Sequence, residues 1–120
     1  MRSATKWRFL LVDDELLTLM DLQDAVEAAG HLAEIASGVE PALSIIERRG
    51  LDLASLDVSV ASGLDCLPIA QALAAQSTPF ILFTGSADHL PEGVTDLDVQ
   101  IVSKPAPALD VVETALKLLG

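Results

Sequence analysis

Short, continuously apolar runs that each stop at a polar residue are the feature of this chain that most restricts its fold. Trp7–Val12 is such a run, flanked by charge on both sides, and it has the length and composition of a buried strand. Pro79–Phe83 reads the same way, and the mostly apolar stretches Leu32–Ala36, Asp52–Leu56 and Val99–Val102 are read as strands as well. Strands that are apolar on both faces must be covered on both faces, and the segments between them have helical spacing. Asp14–Ala29 places Leu16, Leu19, Leu22, Val26 and Ala29 on one helical face, and Gly30 follows as a left-handed stop. Glu40–Arg49 predicts a second helix with Pro41 in its first turn, where a missing N–H costs nothing. A third is expected from an Asp65 cap to about Gln76, again with proline (Pro68) in the first turn. The last, Pro107–Leu119, carries Leu109, Val112, Leu116 and Leu119 at core spacing. Between Ser86 and Asp98, Pro91 and Gly93 interrupt the pattern, so the helix expected there is short or irregular. Alternating strands and helices of this kind predict one α/β domain over residues 1–120, a five-stranded parallel sheet with helices on both faces.

Composition removes several classes of function. Lys and Arg number 7 against 18 Asp and Glu, a net charge of −11. Nucleic acid is a poor ligand for such a surface, because binding it draws on cationic contacts to phosphate. A single cysteine, Cys66, forms no internal disulfide, and with only His31 and His89 beside it there is no structural zinc site. Cys66 reads as a space-filler, both histidines as solvated, and Trp7 as a structural residue at the far end of its strand. No run approaches the ~18 apolar residues of a membrane span. The expectation is a cytoplasmic protein with no membrane and no nucleic-acid partner.

In open α/β sheets the ligand crevice lies beyond the carboxyl ends of the strands. Strand one delivers Asp13, Asp14 and Glu15 there; strand three delivers Asp57, strand four Thr84 and strand five Lys104. Carboxylates brought into one crevice repel one another and call for a cation, and a hard divalent ion such as Mg²⁺ suits oxygen ligands. Lys104 adds a fixed positive charge and Thr84 a hydroxyl donor. Together these groups can hold a phosphoryl group while a carboxylate attacks phosphorus. Each residue also has a plainer reading: Asp57 as a solvated strand end, Asp13-Asp14-Glu15 as acids favoured by a helix N-terminus, Thr84-Gly85 as a turn.

Four motifs in order, Leu11-Val12-Asp13-Asp14-Glu15, Asp57 with Gly63 six residues on, Phe83-Thr84-Gly85 and Ser103-Lys104-Pro105, resemble the receiver domains of bacterial two-component response regulators. The resemblance covers nearly the whole chain. It implies a flavodoxin-like fold with strand order 2-1-3-4-5. It also implies that Asp57 is the phosphoacceptor, that Asp14 and Asp57 bind Mg²⁺, and that Asp13 does so partly through water. Ser59 would add its backbone carbonyl, and Thr84 and Lys104 would contact the phosphoryl group, with the Lys104–Pro105 bond cis. The implied partners are a histidine kinase or histidine phosphotransfer domain and a downstream protein, with the chain itself a monomer or weak dimer.

Two features depart from that family: an aromatic residue is missing from strand five, and the fourth helix, normally part of the partner surface, reads as abbreviated. The aromatic residue usual three positions before the strand-five lysine is Ile101 here, so a rotating ring is not the switch, and the segment from Gly85 to Asp98 is expected to move instead. Pro79-Phe80-Ile81-Leu82-Phe83-Thr84-Gly85 resembles the fourth-strand signature of stand-alone receivers that lack the aromatic, while the chain's end one helix after Lys104 fits a stand-alone receiver and a domain cut from a longer protein equally. In the family, residues two beyond the acceptor and two beyond the threonine shield or admit the hydrolytic water, so the small Ser59 and Ser86 imply, on the resemblance, an acyl phosphate lasting minutes to hours. Three other functions compete. A pseudo-receiver would bind partners without phosphorylation. An aspartyl-phosphate phosphatase would need a nucleophile and an acid two residues apart, whereas Asp13 and Asp14 are adjacent. A flavodoxin-like cofactor binder would have aspartates lining its phosphate cradle.

Overall fold

The computed structural model describes residues 6–58, 66–85, 90, 93 and 99–120. Five strands, β1 (Arg8–Val12), β2 (Leu32–Ala36), β3 (Leu53–Leu56), β4 (Phe80–Thr84) and β5 (Gln100–Ser103), form one parallel sheet in the order β2-β1-β3-β4-β5. Among the described residues there are four helices: α1 (Leu16–Ala28), α2 (Val39–Glu47), α3 (Leu67–Ala75) and α4 (Ala108–Leu119). The helix expected between Ser86 and Asp98 lies outside the described residues. The flavodoxin-like order is therefore observed, and each strand falls within one residue of its expected place.

Side chains alternate across each central strand and so feed two separate cores. Phe9, Leu11, Leu53, Ile81 and Phe83 point to one face and meet Leu19, Leu22 and Val26 of α1 and Val111, Val112 and Ala115 of α4. Leu10, Val12, Ala54, Leu56 and Leu82 point to the other and meet Ala42, Ile45 and Ile46 of α2 and Ile69, Ala70 and Leu73 of α3. Burial on both faces explains why Phe9–Val12 and Phe80–Phe83 read as unbroken apolar runs, with the buried Ser55 the one interruption in β3. The two edge strands differ: β2 and β5 remain largely accessible, and Ile35 and Ile101 are exposed.

Several expectations fail at helix ends. Leu16 is 62% exposed and Leu109 56% exposed, although both have core spacing. Each sits in the first turn of its helix, level with the strand ends, where apolar sheet no longer lies beneath. Ala29 is likewise exposed, outside the helix as its C-cap. The N-cap of α3 is Cys66, fully buried, rather than Asp65, which lies outside the described residues. Gly30 does hold the left-handed conformation, with φ +89°, that lets the chain turn from α1 into β2.

His31 is not the solvated residue its sequence context suggests. Its Nδ1 accepts the backbone N–H of Trp7 at 3.1 Å, and its ring centroid lies 6.0 Å from that of Phe9. This pairs the start of β1 with the start of β2, at the end of the sheet opposite the acidic residues. The same end carries an ion-pair group in which Arg8 and Arg48 both reach Glu34, at 2.7 and 3.4 Å.

The difference between two leucines one turn apart on α1 is directly measurable. Leu19→Ala, at a site 2% exposed, is expected to destabilise the domain by about 2–5 kcal/mol through lost burial and a cavity. Leu16→Ala is expected to change stability by less than about 0.5 kcal/mol, which paired urea denaturation curves will show.

Candidate functional site

The parallel arrangement carries the polar strand ends to a single edge. β1 and β3 are neighbours in register, Val12 opposite Leu56, so the residues that follow them, Asp13 and Asp57, emerge side by side. The Asp57 N–H donates to the Val12 carbonyl at 2.9 Å and the Asp13 N–H to the Ala36 carbonyl at 3.3 Å, extending the ladder to the acids themselves. Carboxylate oxygens of Asp13, Asp14 and Asp57 all lie within 4.8 Å of one another. Asp14 faces solvent, whereas Asp13 and Asp57 are buried.

Lys104 offsets this crowding. It enters from β5, whose end is fixed to β4 by the register pair Thr84–Ser103 and by the Lys104 N–H donating to the Thr84 carbonyl at 2.9 Å. From there its ammonium donates to Asp13 Oδ2 at 2.8 Å and to Asp57 Oδ2 at 3.0 Å. The other oxygen of Asp13 accepts the Glu15 N–H at 2.9 Å, just before α1 begins. The amino end of α1 thus presents positive dipole to the acids, and Glu15 supports them through its backbone. Glu15 also accepts the Thr18 hydroxyl with its side chain, a local bond within the first turn.

Among the described residues, two groups titrate away from their ordinary values. Burial pushes the Asp13 carboxyl up, helped by the Asp57 charge, and the Lys104 and Glu15 hydrogen bonds only partly counter it. Burial alone would lower Lys104, but its hydrogen bonds to Asp13 and Asp57 outweigh that and raise it. The ammonium therefore stays charged throughout the physiological range, and the buried acid next to it carries a cost when ionised.

Of the expected site residues, the structure brings Asp13, Asp14, Asp57 and Lys104 together. Thr84 closes β4 at the same edge and is 1% exposed. The Lys104–Pro105 bond is cis. Ser59, Ser86, His89 and Gly63 lie outside the described residues. Sequence reasoning missed Phe83 as a site residue: the Lys104 ammonium sits over its ring, 5.3 Å from the centroid. Its position one residue before Thr84, and so one register step from Lys104's strand, was the available signal.

Three oxygen-donor carboxylates at this spacing fit a hard divalent cation and are ill suited to a soft metal. The lysine beside them fits an anion that would share the cation, such as a phosphoryl group.

Comparison with known structures agrees with this architecture. No protein-family profile and no curated protein matches the chain. Among solved structures, SdrG from Sphingomonas melonis Fr1 is 32% identical, with 98% of each chain covered and a TM-score of 0.78. A structure of the BeF3-activated conformation of SdrG, from Pseudomonas melonis Fr1, is 35% identical over 94% of this chain and 96% of that one, TM-score 0.74. A CheY-like response regulator receiver domain from Methanospirillum hungatei is 25% identical, covering 96% and 94%, with a TM-score of 0.83. The receiver domain of the sensor histidine kinase PA1611 from Pseudomonas aeruginosa, with magnesium coordinated in its active-site cleft, is 17% identical, covering 97% and 99%, TM-score 0.79. The chain belongs to the CheY-like response regulator receiver domains. No helix among the described residues is long and apolar enough to cross a membrane.

The raised Asp13 carboxyl gives a test of the site's electrostatics without any ligand. A carboxyl whose folded value lies above its unfolded one favours the fold at low pH, and that contribution is lost as pH rises through the folded value. In metal-free buffer at pH 7, Asp13→Asn is therefore expected to raise the thermal midpoint by a few degrees, each kcal/mol gained being worth about 4 °C in a domain this size. The gain should shrink at a second, more acid pH, as the wild-type carboxyl takes up its proton. Thermal scans of both proteins at the two pH values read this directly.

Proposed function

We propose that this receiver accepts a phosphoryl group on Asp57 from a phosphohistidine of a histidine kinase or phosphotransfer domain, in a Mg²⁺-dependent reaction, and that the modification alters binding to a downstream protein. The observation that carries the reading is the Lys104 ammonium, held 3.0 Å from Asp57 inside a trio of carboxylates. A lysine so placed already occupies the region where a phosphoryl oxygen on Asp57 would come to lie.

Asp57 is the suited nucleophile because it is 8% exposed, open enough to be reached, whereas Asp13 is 1% exposed with both oxygens hydrogen-bonded. Attack of an Asp57 oxygen on phosphorus forms the acyl phosphate as the phosphorus–nitrogen bond to the donor imidazole breaks and the imidazole nitrogen keeps the electron pair. Lys104 exchanges its carboxylate contact for a phosphoryl oxygen and offsets the added charge. Thr84, closing the neighbouring strand, is suited to donate its hydroxyl to a second oxygen. Bound Mg²⁺ would be held by Asp14 and Asp57 directly, by Asp13 partly through water and by the Ser59 carbonyl, and would supply neutralisation of the phosphoryl charge. The magnesium in the cleft of the PA1611 receiver supports this choice of ion. A chain of this kind works as a signalling phosphoacceptor in the cytoplasm, not as an enzyme turning over a diffusible substrate.

Incubation with acetyl phosphate and Mg²⁺ is expected to add one phosphoryl mass, labile to hydroxylamine. Asp57→Asn or removal of Mg²⁺ by chelation should abolish it. Undiminished modification of Asp57→Asn would take the acceptor role from Asp57.

A further inference from the structure

Lys104 is fastened by more than its two carboxylates. Its ammonium lies 5.3 Å from the centroid of the Phe83 ring, within the ~6 Å reach of a cation–π contact. Phe83 is 5% exposed and belongs to the core between α1 and α4, yet it also lines the groove where Lys104 and Glu15 surface. The contact follows from the sheet. Phe83 pairs with Val102 and Thr84 with Ser103, so the lysine one residue past the end of β5 folds back over the end of β4. Thr84 and Phe83 point to opposite faces of the sheet, so the ring approaches the ammonium from the side of α1 and α4.

An ammonium bonded only to two carboxylates would follow whichever acid changed its charge or position. A ring face is different: it attracts the cation but forms no hydrogen bond that has to be exchanged, and it keeps water from that side of the ammonium. The contact therefore persists when Lys104 moves from Asp57 to another acceptor.

We propose that Phe83 is a positioning residue for Lys104: the face of its ring holds the ammonium over Asp57, so that an incoming phosphoryl group meets a cation already in place. The proposal rests on the phosphoacceptor reading for its consequence but not for its geometry, and the two are separable by experiment. A plain core role for Phe83 requires only an apolar side chain of similar bulk. The positioning role requires the ring's negative face.

Two measurements test it on the full chain. The first needs no phosphodonor: the Lys104 ε-methylene protons should be shifted upfield by the ring, and the shift should vanish in Phe83→Leu and survive in Phe83→Tyr. The second uses phosphorylation by acetyl phosphate with Mg²⁺. Phe83→Leu is expected to slow it by about 3–10-fold, and Phe83→Tyr should restore most of the rate, a loss of the size such contacts give. Because Phe83→Leu could also disturb the core, mono-, di- and trifluorophenylalanine at position 83 keep the ring's shape while draining its face. The rate should fall stepwise along that series. A rate independent of fluorination, or Lys104 protons that ignore the ring, overturns the positioning role. If the ring shift is present while no variant, wild type included, is phosphorylated, the positioning geometry stands and the phosphoacceptor reading fails.

Discussion

The crowding of carboxylates at one end of a parallel sheet is the constraint on which this molecule depends. Placing Asp13 and Asp57 side by side is unavoidable once β1 and β3 are neighbours in register, and burying them opposes ionisation. The fold meets that cost with three kinds of positive potential from three places. Lys104 arrives from the far edge of the sheet, the Glu15 N–H comes from the chain entering α1, and the amino end of α1 lies behind both. None of these removes the cost, as the raised Asp13 carboxyl shows. The result is a cluster of three carboxylates close enough together that they could hold a metal ion.

That arrangement makes the rest of the architecture intelligible. A lysine reaching from β5 to β1 must cross the ends of β4 and β3, which requires all four strands to finish at the same level. The two cores keep them there. Their side chains alternate strictly between the faces along β1, β3 and β4, so a slip of one residue in any of these strands would turn its whole apolar set over. The stability invested in the cores is in this sense what holds the acids and the ammonium in register.

The strands and the polar residues gathered at their ends were legible in the sequence because both depend on strand ends, whereas the order 2-1-3-4-5 came from the family resemblance. An apolar run and the polar residue that stops it are adjacent in the chain, and a parallel sheet gathers all such residues at one edge. For this reason Asp13, Asp57, Thr84 and Lys104 could be placed together without knowing any distance. The expectations that failed depend on neighbours distant in sequence. Leu16 and Leu109 have core spacing but begin where the sheet has ended. His31 has polar neighbours in sequence, but the start of β1 supplies the N–H that binds it. Phe83 reads as one more apolar strand residue, and only the folding back of Lys104 reveals its ring face as part of the site.

Ile101 in place of an aromatic residue sharpens the question of how a change at Asp57 leaves the site. It lies opposite Leu82 on β5, on the face of the sheet covered by α3, and is 37% exposed. It has neither a ring to rotate nor a polar atom to exchange. What connects β5 to the site is its backbone: the Lys104 N–H on the Thr84 carbonyl, with Thr84 beside Ser103. On the proposed phosphorylation, a lysine drawn toward the new anion would pull on the end of an edge strand whose outer residues are accessible, and Thr84 turning toward the same anion would pull on its neighbour. Edge strands with few buried side chains have little packing to oppose such a shift. A partner that distinguishes the two positions of this edge can shift their balance by no more than its difference in affinity for them. On the proposed phosphorylation of Asp57, the shortest route from the site to an accessible edge would run through the β4–β5 pair itself.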